Sequence, residues 1–151
     1  MNAYFDTSVL LKVYIRETAS TEAVALIQAT APPIPFPHLL ELEIRNALRL
    51  KHGRRDITES ELRGALGLLH ADLTGGILSK PNYDLASVFH RAEGLSAKNT
   101  ARTLARSADI LHVATACEIG CKEFVSFDER QRKVAAQAGL KVVPRKLPAL
   151  N

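Results

Sequence analysis

Cysteine is scarce in this chain. Among 151 residues only Cys117 and Cys121 occur, too few for a disulfide framework, so a reducing, cytoplasmic setting is the default expectation. As metal ligands they lack partners at usable spacing, and they read as small buried residues at a helix end. Long apolar runs are also missing, and none approaches the roughly 20 residues of a membrane span. Met1 leads at once into a β-prone run, which leaves no room for the basic, apolar and cleavage regions of a secretory leader. No internal repeat, linker or low-complexity tract breaks the chain. What is present is 46% hydrophobic, enough for one globular domain over residues 1–151 that buries roughly two-thirds of its unfolded surface. Acids are outnumbered, 16 Asp and Glu against 20 Lys and Arg, with a net charge of +4. That surplus suits a polyanionic partner without demonstrating one.

Ala3 to Phe5 is β-prone and ends in Asp6, and Thr7 and Ser8 lead into an apolar, helix-length segment. The pattern predicts a strand, an acid at its tip, and a helix. In an open parallel sheet, ligands bind beyond the carboxyl ends of the strands, near the point where strand order reverses. Asp6 reads equally as a resident of that crevice and as the cap of the helix.

Periodicity predicts helices over Val9–Ile15 and Thr18–Ala29. The proline-rich stretch 31–37 is a loop that can hold a short edge strand at Ile34 to Phe36. His38–His52 is a helix ended by Gly53, and Thr58 with Glu61 forms a capping box that opens a helix to about Leu73. After Gly75-Gly76, Ile77 and Leu78 suggest a strand. Asp84–Leu95 and Ser107–Ile119 are helices joined by a polar segment, 96–106, whose end can already be helical. Glu123–Phe127 is a strand, Glu129–Ala138 a helix ended by Gly139, and Leu140–Val143 a last strand. Helices alternating with short strands predict an α/β domain, a parallel sheet covered on both faces.

At about 100° per residue, Glu43 falls among Leu39, Leu40, Ala47 and Leu50, in the middle of an apolar face. Glu41 lies nearly opposite and pairs with Arg45 one turn later. A glutamate on a core-facing stripe needs a partner, either a core arginine or something held in a cleft. Asp109 shares its arc with Val113 and Ala116, and its place in the first helical turn also suits the helix dipole. His112 lies near that face and reads as a packing residue. Asp128 closes a strand as Asp6 does, and with Gln131 it forms a capping box. If those two strands are neighbours and the helices carrying Glu43 and Asp109 pack close by, four acids converge. Four such carboxylates would repel one another unless a divalent cation joined them. With oxygen ligands alone, that cation would be Mg²⁺ or Mn²⁺, and the chemistry phosphoryl transfer.

Phe5-Asp6-Thr7-Ser8, Glu43-Ile44-Arg45-Asn46-Ala47-Leu48, Arg106 through Ala114, and Phe124 through Gln131 resemble the four signature segments of PIN-domain nucleases, and of VapC-type toxins in particular. The likeness runs in order through essentially the whole chain. It implies a three-layer α/β/α fold with a parallel sheet of four or five strands. Asp6, Glu43, Asp109 and Asp128 would be the catalytic, metal-binding quartet, with Thr7, Ser8 and Ser126 in support. Ser126 stands where the family often has threonine, and Ala108 where leucine is common, which touches packing rather than chemistry. The resemblance further implies an Mg²⁺- or Mn²⁺-dependent endoribonuclease, a homodimer, and inhibition by a cognate antitoxin. Arg106, Arg130 and Arg132, close in sequence to the acids, are candidates for RNA phosphate contact, whereas Arg45, Arg49 and His52 read at least as well as a solvated face.

Other classes fit less well. A haloacid-dehalogenase-like phosphatase wants an Asp-x-Asp pair, and its second position here is Ser8. A receiver domain wants a neighbouring acid pair near its start and a lysine on a late strand. A PIN-like module kept for RNA or protein binding is the remaining alternative, and the intact acids argue against it.

Overall fold

Residues Ala3, Tyr4 and Phe5 form the first strand, β1, and their alternation divides the molecule. Ala3 and Phe5 enter one buried cluster and Tyr4 the other, as the two-residue period of a strand requires. The structure is a computed structural model and describes residues 2–149. On the Phe5 side lie α1 (Thr7–Tyr14), α2 (Ser20–Gln28), α3 (His38–Gly53) and α4 (Glu59–Thr74); on the Tyr4 side lie α5 (Leu85–Thr103), α6 (Ser107–Ile119) and α7 (Glu129–Gln137). The remaining strands are β2 (Ile34–Pro35), β3 (Leu78–Ser79), β4 (Glu123–Val125) and β5 (Lys141–Val143). The result is a three-layer α/β/α domain.

Every strand pairing is parallel. β1 pairs with β4 and β4 with β5, while β2 pairs with β3 as a separate ladder that packs against β1. The chain therefore builds outward on one side of β1 and then returns to its other side. The reversal falls between β1 and β4, in the register Phe5 opposite Val125, so the residues following these strands share one crevice.

Local chemistry places most boundaries. Asp6 caps α1, and Glu61 accepts from the Thr58 amide at 2.7 Å while its own amide donates to the Thr58 hydroxyl at 3.2 Å, the reciprocal box expected at α4. Gly120 and Gly139, at φ 82° and 83°, follow α6 and α7 in the left-handed conformation that glycine adopts without a steric penalty. Helix α1 begins at Thr7 rather than Val9, because Asp6 is its cap, and α2 begins at Ser20 rather than Thr18, after Ala19 at a left-handed φ of 65°.

The larger departure is α5, which runs on through the polar stretch to Thr103. Its side chains return to the helix: Asn99 Nδ2 donates to the Leu95 carbonyl at 2.8 Å and Thr103 Oγ1 to the Asn99 carbonyl at 3.0 Å. Such local bonds can compete with a helix, but here they bond carbonyls one turn back. The helix stops where Leu104 turns left-handed, at φ 56°.

Candidate active site

Asp6 follows β1 and is wholly buried. Ser8 Oγ donates to its Oδ1 and Ser126 Oγ to its Oδ2, each at 2.6 Å, and the Val9 amide reaches Oδ1 at 3.3 Å. None of these donors carries a charge. Burial pushes the carboxyl from its ordinary 3.8 up to about 6, against the opposing pull of the Ser126 and Ser8 hydroxyls. Asp6 thus caps α1 and, wholly buried, lies at the carboxyl end of β1 where the strand order reverses.

The serines tie the two strand tips to each other. Ser8 Oγ accepts from the Phe127 amide at 2.8 Å, and Ser126 Oγ accepts from the Asp128 amide at 3.0 Å. Asp128 caps α7 through Oδ1, which takes the Arg130 amide at 2.8 Å and the Gln131 amide at 3.0 Å. The capping box expected there is only half formed. The Gln131 side chain turns away and donates through Nε2 to Asp109 Oδ1 at 3.3 Å, so it links the third acid to the fourth. Asp109 Oδ2 accepts the Arg106 amide at 2.7 Å, the first-turn role its position predicted.

Glu43 lies elsewhere on α3 than its helical phase suggested. The buried stripe is Leu40, Ile44 and Leu48, and Leu50 is exposed. The apolar arc is wide, and the sheet takes the part of it centred on Ile44. Glu43 is left on the shoulder, half-buried, where Thr7 Oγ1 donates to Oε2 at 2.5 Å and His112 Nε2 lies 2.6 Å from the same oxygen. Burial would raise this carboxyl, but the hydrogen bond from His112, the electrostatic attraction of that ring and the hydrogen bond from Thr7 outweigh it and hold the group below its usual range. Glu41 pairs with Arg45 at 2.8 Å, as its phase predicted, and also bonds Lys80.

All four acids thus belong to one hydrogen-bonded neighbourhood. Asp6 reaches Asp128 through Ser126, Asp128 reaches Asp109 through Gln131, and Glu43 joins through Thr7, next to Asp6, and through His112 on the helix of Asp109. Tyr4, His112 and Gln131 were not singled out by sequence reasoning as members of the site. A buried His three residues from an acid on one helix was the available signal; nothing in the local sequence marked Tyr4.

The basic residues divide. The Arg106 side chain is 71% exposed, and its Nε lies 3.8 Å from Asp109 Oδ2. Arg132, in contrast, is tied inward, donating through Nη1 to the Ser126 carbonyl at 2.9 Å and through Nη2 to the Pro144 carbonyl at 2.7 Å. It fastens the ends of β4 and β5. A hollow of about 350 Å³ borders the site, with Thr7, Ser8 and Asp128 on its wall together with Lys12, Glu17 and Lys51. Glu17 binds both lysines, at 3.3 Å and 2.9 Å, so this trio keeps a net positive charge.

A parallel α/β fold with acids gathered at its switch point defines a class of proteins that bind charged ligands beyond the strand ends. The family model of the PIN domain matches residues 3–137, and the chain belongs to that family. PIN domains are in general nucleases that use divalent metal ions. None of the curated proteins compared with the chain matches it.

The donor chemistry suits such an ion. Asp6 is a buried carboxylate hydrogen-bonded only by neutral donors, the other three acids also offer hard oxygen, and Gln131 Oε1 beside Asp109 is a buried acceptor lacking a partner among the described residues. Among those residues no three His, Cys, Asp or Glu side chains converge tightly enough to grip one ion. Mg²⁺ commonly takes one or two carboxylates directly and keeps several waters, which this looser set of acids can supply.

Proposed function

We propose that this PIN domain is an Mg²⁺- or Mn²⁺-dependent endoribonuclease and the toxin of a type II toxin–antitoxin pair. The observation that carries the reading is Asp6, a wholly buried carboxylate at the sheet's reversal point with only neutral hydrogen-bond donors. An unpaired buried charge destabilises a fold, so its retention points to a cation supplied from outside the chain. Asp6 would hold that cation, with Asp109, Asp128 and Glu43 Oε1, which takes no hydrogen bond among the described residues, binding it directly or through water. When bound, the ion supplies an acidified water and positive charge for the scissile phosphate.

The chain's own residues do the rest. Ser8 and Ser126 fix both oxygens of Asp6, so its direction is set before any ligand arrives. Gln131 holds Asp109 against α7, and the two helix caps keep Asp6 at the end of β1 and Asp128 at the start of α7. Arg106 stands beside Asp109 as a phosphate contact, and Arg130 joins it. Lys12 and Lys51 extend the positive charge into the neighbouring hollow, where a backbone phosphate flanking the cleaved one would lie. Contacts of this kind position a strand without reading its bases.

The toxin assignment is supported by the four signature segments and their spacing. Exposed Leu85 and Phe89 on α5, at 59% and 56%, support an apolar partner surface such as a second copy or an antitoxin segment. No helix among the described residues is long and apolar enough to cross a membrane, and the reading places the protein in the cytoplasm. The test is cleavage of single-stranded or loop RNA by purified protein with Mg²⁺ or Mn²⁺. Asp6→Asn should abolish cutting while circular dichroism shows an intact fold; equal cutting by parent and variant would sink the mechanism. The looseness of the acid set favours one rival, a PIN-like module that binds RNA or protein without cutting. RNA retained by the parent but never cleaved with either metal would establish it.

A further inference from the structure

β5 is the edge strand of its sheet, and the segment that follows it is basic. Pro144, Arg145 and Lys146 leave its carboxyl end. Because the pairings are parallel, that end lies on the same side of the sheet as the ends of β1 and β4. The Ser126 amide donates to the Val143 carbonyl at 3.0 Å, and Arg132 bonds the carbonyls of Ser126 and Pro144. Two strand spacings, roughly 10 Å, separate the end of β1 from the end of β5. The C-terminal cations therefore stand at the edge of the sheet beyond which Asp6 and Asp128 lie, the edge where parallel α/β sheets bind ligands.

Between α7 and this segment runs an open cleft of about 580 Å³. Arg132, Lys133, Arg145 and Lys146 line it with a single carboxylate, Glu129, and the rest of its lining is apolar. Lys133, Arg145 and Lys146 are exposed, and none of them forms an ion pair among the described residues. The larger hollow along α5, about 780 Å³, is different. Its Arg91 and Lys98 share it with Asp84 and Glu118, and Arg91 bonds Glu118 at 2.5 Å. There the charges balance; beside α7 they do not, and crowded like charges repel until an anion joins them.

We propose that the cleft between α7 and the C-terminal segment is a second contact for RNA, holding the sugar-phosphate backbone away from the acids. Lysine meets a phosphate as a point charge and arginine as a two-pronged donor. No aromatic side chain is among the described residues lining the cleft, so bases find no stacking platform. The contact is to backbone, without regard to sequence. A peptide strand added to β5 is the competing occupant. Lys141 stands exposed on that strand and Pro144, with no amide hydrogen, follows it, two devices that blunt a sheet edge. That the held strand is the flank of a substrate rests on the nuclease reading above; that the cleft takes RNA phosphates does not.

Fluorescence anisotropy of a labelled single-stranded RNA of about 16 nucleotides, titrated with metal-free parent protein, reads this contact without cleavage. Replacing Lys133, Arg145 and Lys146 together with alanine should raise Kd at least about 10-fold at about 0.1 M salt. It should also flatten the log–log salt dependence by about 2, at about 0.7 for each lost contact. All three side chains are exposed, so circular dichroism and Tm should match the parent. A control with Arg49, Arg54 and Arg63 replaced by alanine removes the same charge from other exposed positions and should bind like the parent. Equal losses in the two variants would overturn the proposal, since net charge alone would then explain them, as would parent-like binding by the first. A polyglutamate peptide that displaces the RNA at lower concentration than unlabelled RNA would give the cleft to an acidic protein segment and overturn it too. RNA held through the cleft but cut with neither Mg²⁺ nor Mn²⁺ would remove the nuclease reading and uphold the cleft. RNA cut by a parent whose Kd the first variant shares would do the reverse.

Discussion

Glu41 and Glu43 are two residues apart on one helix and belong to different electrostatic worlds. Both carboxyls are held below the ordinary range, but Glu41 by hydrogen bonds from Lys80 and Arg45 at the surface, and Glu43, half-buried, by His112 and Thr7. Asp6 at the end of β1 gets no such balance: it has two hydroxyls and an amide, and it is forced up to about 6. A carboxylate with cations around it is complete and contributes modestly to the fold. One set among neutral donors, in the crevice where the sheet reverses, is incomplete until a charge arrives. The contrast separates acids that serve structure from acids that serve a ligand.

The sharpest way to break this contrast is Asp6→Asn. Removing a ligand carboxylate should cost several kcal/mol of transition-state stabilisation, roughly a thousandfold or more in RNA cleavage. Without metal, the same change should stabilise the protein above neutral pH. The folded pKa of Asp6 is raised, so the stability from its protonation is fully present below about 3.8 and lost as pH rises through about 6. A shift of about two units corresponds to about 3 kcal/mol. Urea unfolding from pH 4 to 8 should show the parent losing up to that amount and the variant not; parallel profiles would show that Asp6 is not strained.

Smaller effects sharpen the picture. Glu43→Gln should weaken Mn²⁺ binding by about 10–100-fold, and Gln131→Ala, which frees Asp109, by about 10-fold; calorimetric titration of both against the parent decides whether these acids share a ligand. Replacing Lys12 and Lys51 together with alanine should raise KM for RNA several-fold and leave kcat alone, and it should flatten the salt dependence of binding by about 0.7 per lost contact in a log–log plot. Salt slopes equal to the parent's would remove the lysines from the RNA path. At the bottom of the scale, Glu41→Gln should change unfolding stability by no more than about 1 kcal/mol and Mn²⁺ affinity not at all. A large loss of metal binding there would erase the distinction between the two glutamates.

Much of the site was legible in order along the chain, because strand-acid-helix junctions are local. Asp6 and Asp128 each follow an apolar β-prone run and precede a helix; the structure puts Asp6 directly after β1, but ends β4 at Val125 rather than Phe127, so Ser126 and Phe127 separate Asp128 from the adjacent parallel strand. Helical phase did worse on α3. It found an apolar arc that included Glu43, yet the arc was broad, and only packing against the sheet decided that Ile44, not Glu43, would be its centre. The polar stretch after Leu95 looked like a connector because Ser, Asn and Thr favour caps and turns, and it is helix because those side chains bond the turn before them. Gln131 offered the pattern of a capping box, but its amide is drawn to Asp109, a partner 22 residues away. Arg132 is near the acids in sequence and spends its two terminal nitrogens on backbone carbonyls.

The primary structure by itself settled the α/β class, the order of the elements and which acids stand at strand tips or helix starts, since these depend on periodicity and on neighbours within a turn. Only the tertiary structure decided that β1 and β4 lie side by side, that Tyr4 reaches His112 across 108 positions and His112 reaches Glu43 across 69, and which oxygen of Glu43 takes both hydrogen bonds. Hydrogen bonds are made by pairs, and long-range pairs exist only after the chain has folded.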